Sequence, residues 1–259
     1  MSLIMTTAGR PDEQSAALLQ EAALRLQAPV VERKKRSITK LQDIYQSDVL
    51  VAGKDRFSFY KRGSEEPFFF HPNSATYRLK RILKGETDPL VAAAELLPGD
   101  SFLDCTLGLG SDSIIAASAV GEKGTVTGTE ADEIVAFLTK TGLYSFPIDF
   151  PLLREAMERI QVIHSEAVTF LKTRPSNSYD IVFLDPMFTT PIEESSNFES
   201  LRSVGTSYSL TEEWVEEALR VCKRRVVLKD HYQSPMFKRF GFIQQIRLHT
   251  KVHYGVLEK

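Results

Sequence analysis

The chain has 259 residues, 42% of them hydrophobic and 25% charged, with a formal net charge of −2. That composition excludes a disordered chain and leaves room for one large domain, or a core domain beside a smaller one. No apolar run approaches the ~18 residues of a membrane span, and no charged stretch leading into a long apolar one opens the sequence, so a cytoplasmic protein is expected. Cys105 and Cys222 suggest neither a disulfide framework nor a metal site, and both are expected to be reduced and buried. The net charge hides an asymmetry, because residues 1–85 carry 15 Lys and Arg against 9 Asp and Glu, and the remainder 17 against 25. A basic first third suits either a solvated surface or a polyanion contact, while the weak overall charge argues against strong nonspecific nucleic-acid binding.

Ser2–Thr7 reads as a strand, and Gly9-Arg10-Pro11-Asp12 as a turn that opens a helix over 13–27, with apolar Ala17, Leu18, Ala22, Leu24 and Leu26. Pro29–Val31 is a short strand candidate. Arg33-Lys34-Lys35-Arg36 then places four cations side by side, as a solvated turn or a phosphate contact. Ser37 can cap a helix through Tyr45, and Asp48–Ala52 and Arg56–Tyr60 read as strands around Gly53-Lys54-Asp55. Residues 1–66 are thus expected to form a small basic α/β module, followed by a main domain over 67–259. The aromatic segment Pro67–Asn73 links them, with His71 as a structural residue rather than a base. Ser74–Lys84 has helical spacing, with Tyr77, Leu79, Ile82 and Leu83 apolar and Arg78, Lys80, Arg81 and Lys84 cationic. Beside the reading of solvated cations, Asn73, Ser74 and Arg78 stand as candidates for the substrate side.

Asp88–Leu97 reads as a helix with proline at its first position, and Pro98-Gly99-Asp100 turns the chain into the stretch that organises the rest. Ser101–Thr106 is a short apolar strand running into Leu107-Gly108-Leu109-Gly110. Ser111 or Asp112 can cap the small apolar helix to Val120, and Thr125–Thr129 is a second strand ending on Glu130. An acid about 20 residues beyond a glycine turn is where nucleotide-binding α/β folds grip ribose hydroxyls. A dinucleotide site would want a third glycine where Ser113 stands, and Asp112 would repel a pyrophosphate, so Asp104 and the Gly108/Gly110 turn point to a cationic nucleoside instead.

Helices are expected over 131–143 and 151–159, and Ile160–His164 is the third strand, followed by Glu166-Ala167 at the start of a helix to Lys172. Glu166 is read as that helix's cap, and its place before Ala167 also resembles the acid that in S-adenosylmethionine-dependent methyltransferases accepts from the adenine amino group; both roles can hold together. Tyr179–Leu184 is a continuous apolar strand, as in the centre of a parallel sheet, and it ends in Asp185-Pro186-Met187-Phe188. This tetrapeptide resembles the N/D-P-P-Y/F motif of methyltransferases acting on exocyclic amines of nucleobases, which implies that Asp185 and the Pro186 carbonyl accept the amine's hydrogens and that Phe188 stacks on the base. Residues 189–209 read as a mobile flap. A helix over 210–222 with Trp214 as a packing residue, a fifth strand over 225–229 and a closing pair at 242–246 and 252–257 complete the pattern. Lys229, at the fifth strand's tip, is a further substrate-side candidate.

In order, L-D-C-T-L-G-L-G-S-D, Glu130, I-H-S-E-A, L-D-P-M-F and V-V-L-K make the chain similar to the class I S-adenosylmethionine-dependent methyltransferases, in particular the small-subunit ribosomal RNA guanine-N2 methyltransferases. T-T-A-G-R-P, R-K-K-R-S and F-F-F-H-P-N resemble that family's Gram-positive branch. The resemblance implies an α/β fold with a Rossmann-like seven-stranded methyltransferase sheet behind the N-terminal module. It implies S-adenosyl-L-methionine at Asp104, Gly108, Gly110, Ser111, Asp112, Glu130, Ala131, Glu166, Ala167 and Asp185. Asp185, Pro186 and Phe188 would be catalytic, small-subunit rRNA the partner, and no metal is implied. Methylation of a small molecule or protein amide, a non-catalytic RNA-binding role and a nicotinamide oxidoreductase are the competing readings.

Overall fold

The computed structural model describes residues 2–186, 209–248 and 250–259. Met1–His71 with Ser145–Pro147 form the smaller of two compact units, and the described residues from Pro72 onward, Ser145–Pro147 excepted, form the larger. The division follows His71 rather than residue 66, because Phe68 and Phe59 exchange two backbone hydrogen bonds of 2.8 Å and Phe69 lies under the Arg56 guanidinium, 3.9 Å from its ring centre.

In the smaller unit, β1 (Leu3–Thr7) pairs in parallel with β2 (Asp48–Ala52), which pairs antiparallel with β3 (Phe57–Tyr60). Val30, in the segment read as a strand, makes an isolated parallel bridge to Met5. Alternation along the strands sends Ile4, Val49 and Val51 to one face, where they pack with Leu41 of helix α2 (Ile38–Tyr45). Helix α1 (Glu13–Leu26), expected over 13–27, buries Ser15, Leu19 and Ala22, and Leu24 is 82% exposed. The capping box sets that phase: Asp12 accepts from the Ser15 amide and Ser15 Oγ accepts from the Asp12 amide, which turns Ser15 inward and carries Leu19 and Ala22 with it.

The larger unit is a seven-stranded sheet in the order β6-β5-β4-β7-β8-β10-β9. Its strands are β4 (Ser101–Asp104), β5 (Thr125–Glu130), β6 (Ile160–His164), β7 (Tyr179–Leu184), β8 (Cys222–His231), β9 (Ile243–Gln245) and β10 (Val252–Glu258). The first five in that order run parallel, while β10 is antiparallel to both β8 and β9. On one face lie α3 (Asn73–Ile82), α4 (Pro89–Ala94), α5 (Ser111–Val120) and α7 (Pro151–Glu158). On the other, α8 (Ala167–Lys172) and α9 (Glu212–Val221) cover a core that contains Leu103, Cys105, Val182, Leu184, Trp214 and Cys222. Helix α6 (Glu133–Ser145) follows β5, and the short α10 (Met236–Arg239) follows β8. Both cysteines are free and buried. No helix among the described residues is long and apolar enough to cross a membrane.

Alternation along β4 decides what the site receives. Leu103 and Cys105 enter the α8/α9 core, while Asp104 turns to α5 and accepts from Ser113 Oγ at 2.7 Å. Helix α5 is small-residued and buried through Asp112, Ser113, Ile114, Ile115, Ala116 and Ala117, so it lies close to the sheet. Its N-cap is Gly110, at φ 74°, rather than Ser111 or Asp112, and no side chain caps it. Asp112 is drawn instead into a charge cluster.

Candidate functional site at the carboxyl edge of the parallel strands

Open α/β sheets bind ligands beyond the carboxyl ends of their strands. At β4 the chain leaves through Thr106 and Leu107 into the glycine turn. The turn is fixed on several sides: Leu107 N–H donates to Thr129 O at 2.9 Å, Gly110 N–H to Leu107 O at 2.7 Å, and Thr139 Oγ1 to Gly108 O at 2.6 Å. Gly108 (φ 51°) and Gly110 both hold left-handed backbone, which glycine adopts without steric penalty. Glu130, at the tip of β5, accepts from Gly108 N–H at 3.0 Å and from Asp132 N–H at 2.9 Å. Burial raises its carboxyl above the usual range, against the pull of those two donors. Gly128, one pleat earlier, leaves room for Leu107, whose Cδ1 would lie 2.5 Å from an added Cβ.

The next tip over is β6, in register with β5 from Val126↔Ile160 to Glu130↔His164. Ser165 N–H donates to Glu130 O, and a His164 ring nitrogen lies 3.2 Å from Ala131 O, so Ala131 and Glu166 lie on adjoining loops. Glu166 caps α8, accepting from Val168 N–H at 3.0 Å and Thr169 N–H at 2.7 Å. Partial burial pushes its carboxyl up, and those donors bring it below the usual value. Ala167 begins the helix and is buried.

On the other side of β4, the β7 tip carries Asp185, whose amide donates to Thr106 Oγ1 at 2.8 Å. The register Leu184↔Leu228 makes Asp185 the neighbour of Lys229 on β8. Lys229 Nζ lies 2.6 Å from Asp185 Oδ2 and 2.8 Å from Asp112 Oδ2. Asp112 Oδ1 in turn meets Arg78 Nη1 at 2.6 Å, and Arg78 makes a two-pronged pair of 2.8 Å contacts to Asp88. The result is a chain of alternating charge, Asp88–Arg78–Asp112–Lys229–Asp185, three carboxylates against two cations.

Burial pushes the Asp185 carboxyl up to about 6 although Lys229 pulls it down, so it is ionised at neutral pH. Burial also opposes ionisation of Asp112, but Lys229 and Arg78 together hold it well below the usual carboxylate range. Burial lowers Lys229, and Asp112 and then Asp185 more than reverse this, so it stays charged. Asp104, without a cation partner, is pushed by burial up to about 7.

The structure thus gathers the predicted residues into two adjoining clusters, Asp104 with Gly108, Gly110 and Glu130, and Arg78 with Asp112, Lys229 and Asp185. Arg78 is half-buried and paired rather than solvated, and Asp112 is already neutralised by protein cations, so its charge is not spare for a ligand. Asn73 and Ser74 form the first turn of α3, about one turn before Arg78. Pro186 is buried, and Phe188 and the 189–208 part of the predicted flap lie outside the described residues. Sequence reading missed Asp88, seen only as a helix start, and Thr106, which ties the β4 and β7 tips together. It also missed Tyr254, which stands in register with Lys229 on β10.

A parallel sheet closed by an antiparallel β10 beside the last parallel strand, with a glycine turn and an acid at adjacent tips, defines a Rossmann-like methyltransferase fold. A solved SAM-dependent methyltransferase from Neisseria gonorrhoeae shares it, with a TM-score of 0.61 at 21% identity over 98% of this chain and 95% of that one. The chain belongs to the family described as "Putative SAM-dependent methyltransferase", whose model matches residues 67–252. It is 44% identical to "Uncharacterized protein YpiP" of Bacillus subtilis over 98% of this chain and 99% of that one. It is 34% identical to "Ribosomal RNA small subunit methyltransferase J" of Laribacter hongkongensis over 43% of this chain, a match that spans 39% of that relative. The protein is therefore an S-adenosylmethionine-dependent methyltransferase.

Proposed function

We propose that the protein methylates the exocyclic N2 amine of a guanine in small-subunit ribosomal RNA. The observation that carries this reading is Asp185: a largely buried carboxylate paired with Lys229, on a backbone whose amide is tied to Thr106, one strand away from the glycine turn. Names of more distant relatives, "Ribosomal RNA small subunit methyltransferase J" among them, support the RNA target.

The residues at the β4 and β5 tips suit the cofactor. The left-handed glycine turn brings backbone rather than side chains to the cleft, Glu130 offers a carboxylate to ribose hydroxyls, and the uncapped N-terminus of α5 leaves amide donors at Ser111 and Asp112. Ala131, Glu166 and Ala167 line the adjoining loop, where an adenine would be read, and Asp104 supports the turn through Thr106 and Ser113. When bound, S-adenosylmethionine supplies an electrophilic methyl group on a sulfonium sulfur.

The chain's own residues have to make a poor nucleophile react, because a guanine N2 lone pair is delocalised into the ring. Asp185 accepts one hydrogen of that amine and the Pro186 carbonyl the other, which orients the nitrogen for in-line attack. As the new N–C bond forms, the nitrogen loses a proton, and Asp185 is the base beside it. Phe188 supplies the stacking surface by resemblance, and Arg78, Asn73 and Ser74 border the same side of the cleft through α3.

The test is transfer of labelled methyl groups to small ribosomal subunits from a strain lacking the gene, followed by nucleoside mass mapping. N2-methylguanosine appearing with the wild type, and falling at least about 100-fold with Asp185→Asn, is the expected result. Turnover on another nucleoside, or on none, overturns the substrate assignment.

A further inference from the structure

The small unit has a carboxyl edge of its own. Strands β1 and β2 run parallel and end together at Thr7 and Ala52, and the Pro29–Val31 segment runs parallel beside β1, with Met5 N–H donating to Pro29 O and Val31 N–H to Met5 O. Every connection leaving this edge carries cations. After β1 comes Arg10, after the bridging segment come Arg33, Lys34, Lys35 and Arg36, and after β2 comes Lys54, with Arg56 returning into β3. Helices α1 and α2 both begin at this edge, capped by Asp12 and Ser37, so their positive dipole ends add to the same field. Acids are present too: Asp12 is held in its capping box, Glu32 lies 3.7 Å from Lys34, and Asp55 occupies the β2–β3 turn.

The 33–36 turn is built to display charge. Arg33 is turned back into the fold, its guanidinium donating to Arg36 O at 3.1 Å and to Thr7 O at 3.4 Å. Lys34 and Lys35 hold consecutive left-handed backbone, φ 47° and 60°, which non-glycine residues adopt at a steric penalty, and both side chains are exposed. A turn chosen for stability alone would place glycine or asparagine there. Backbone strain retained at a charged, exposed site points to a ligand.

We propose that this edge grips the phosphodiester backbone of the RNA substrate, with Arg10, Lys34, Lys35, Lys54 and Arg56 as the phosphate contacts. The inference rests on the RNA reading above and deepens it. It assigns sequence-independent affinity to the small unit and the reaction to the large one. It also reconciles a chain of net charge −2 with a polyanionic substrate, because Arg10, Arg33, Lys34, Lys35, Arg36, Lys54 and Arg56 gather at one edge.

The test uses the full-length Lys34→Asn/Lys35→Asn/Lys54→Gln variant. Asparagine tolerates left-handed backbone better than lysine, so the fold is kept and the thermal midpoint is unchanged or higher. Binding of a fluorescent RNA stem-loop is followed by anisotropy across a salt series, and cofactor binding by calorimetry. The wild type is expected to show a steep loss of affinity with salt, and the variant a slope shallower by about 2, at roughly 0.7–0.9 per lost contact, with cofactor affinity intact. An unchanged slope overturns the proposal, and so does a wild type that binds anionic phosphatidylserine vesicles but no RNA. If the slope changes as expected while no methyl reaches RNA, the reaction assignment fails and the surface stands; methyl transfer with an unchanged slope means the reverse.

Discussion

Removing Lys229 should damage both the fold and the reaction, and in a way that separates the two. The buried chain holds Asp88, Asp112 and Asp185 against Arg78 and Lys229, so Lys229→Met leaves three carboxylates facing one cation. Asp112 keeps Arg78 at 2.6 Å, but Asp185 loses its contact of the same length. Breaking a buried pair by deleting one partner typically costs about 3–5 kcal/mol. A tenfold change in an ionisation equilibrium is about 1.4 kcal/mol, so a third of that loss expressed at Asp185 carries its titration to about 7 or above. On the proposed role Asp185 must be ionised, so activity should be lost as pH falls through its folded value. The acidic limb of kcat/KM should stand near 6 in the wild type and move upward in Lys229→Met, with Lys229→Arg restoring most of it. Urea unfolding should show the stability loss, part of which Asp185→Asn/Lys229→Met recovers by removing the orphaned charge. An acidic limb that stays in place while stability falls would make Lys229 a structural residue only and refute the role given to the ion pair.

Two further substitutions probe the glycine-turn cluster. Glu130→Gln leaves a weaker acceptor for Gly108 and Asp132 and removes the carboxylate offered to ribose; cofactor affinity by calorimetry should fall at least about tenfold, and an unchanged Kd removes Glu130 from the site. Asp104 titrates near 7 in the fold, above its unfolded value of 3.8, so its contribution to stability is lost as pH rises between those two values. Asp104→Asn should therefore flatten the fall in unfolding free energy between about pH 5 and pH 8 by about 2–3 kcal/mol, and parallel pH profiles for the two proteins contradict the burial argument.

Much of the fold was legible because local signals agree with one another. The apolar runs at Ser101–Asp104, Tyr179–Leu184 and within Cys222–His231 are short, continuous and ended by turn residues, as buried parallel strands must be, and Pro89 and Pro151 each mark a first helical turn. Failures arose where a side chain had two possible partners. The apolar residues of α1 marked a helix without fixing its rotation, which the Asp12–Ser15 box sets, leaving Leu24 outside. Arg78 read either as a solvated cation or as a substrate-side residue, because nothing within α3 shows that Asp88 and Asp112, from outside that helix, converge on it. Asp112 likewise looked like a helix cap or a ligand acid, both local roles, whereas the cations that claim it lie far away in the sequence.

The Asp185–Lys229 pair belongs to a middle case, visible in the sequence to a reader who already knows the strand order. β7 and β8 each carry an apolar run followed by a charge, Asp185 after Leu184 at the end of one and Lys229 after Leu228 within the other. Parallel neighbours in register bring residues at equal heights together, and Leu184↔Leu228 therefore makes the pair unavoidable once β7 and β8 are adjacent. The position of Asp185 relative to β4 is fixed as well, since β7 lies between β4 and β8 and the Asp185 amide is tied to Thr106. A one-residue slip of β7 would carry Asp185 away from Lys229 and Thr106 and flip its side chain to the α8/α9 face. What positions the proposed base is thus the sheet itself rather than a loop, and on that proposal a substitution that loosens the β7–β8 pairing should impair methyl transfer before it impairs cofactor binding.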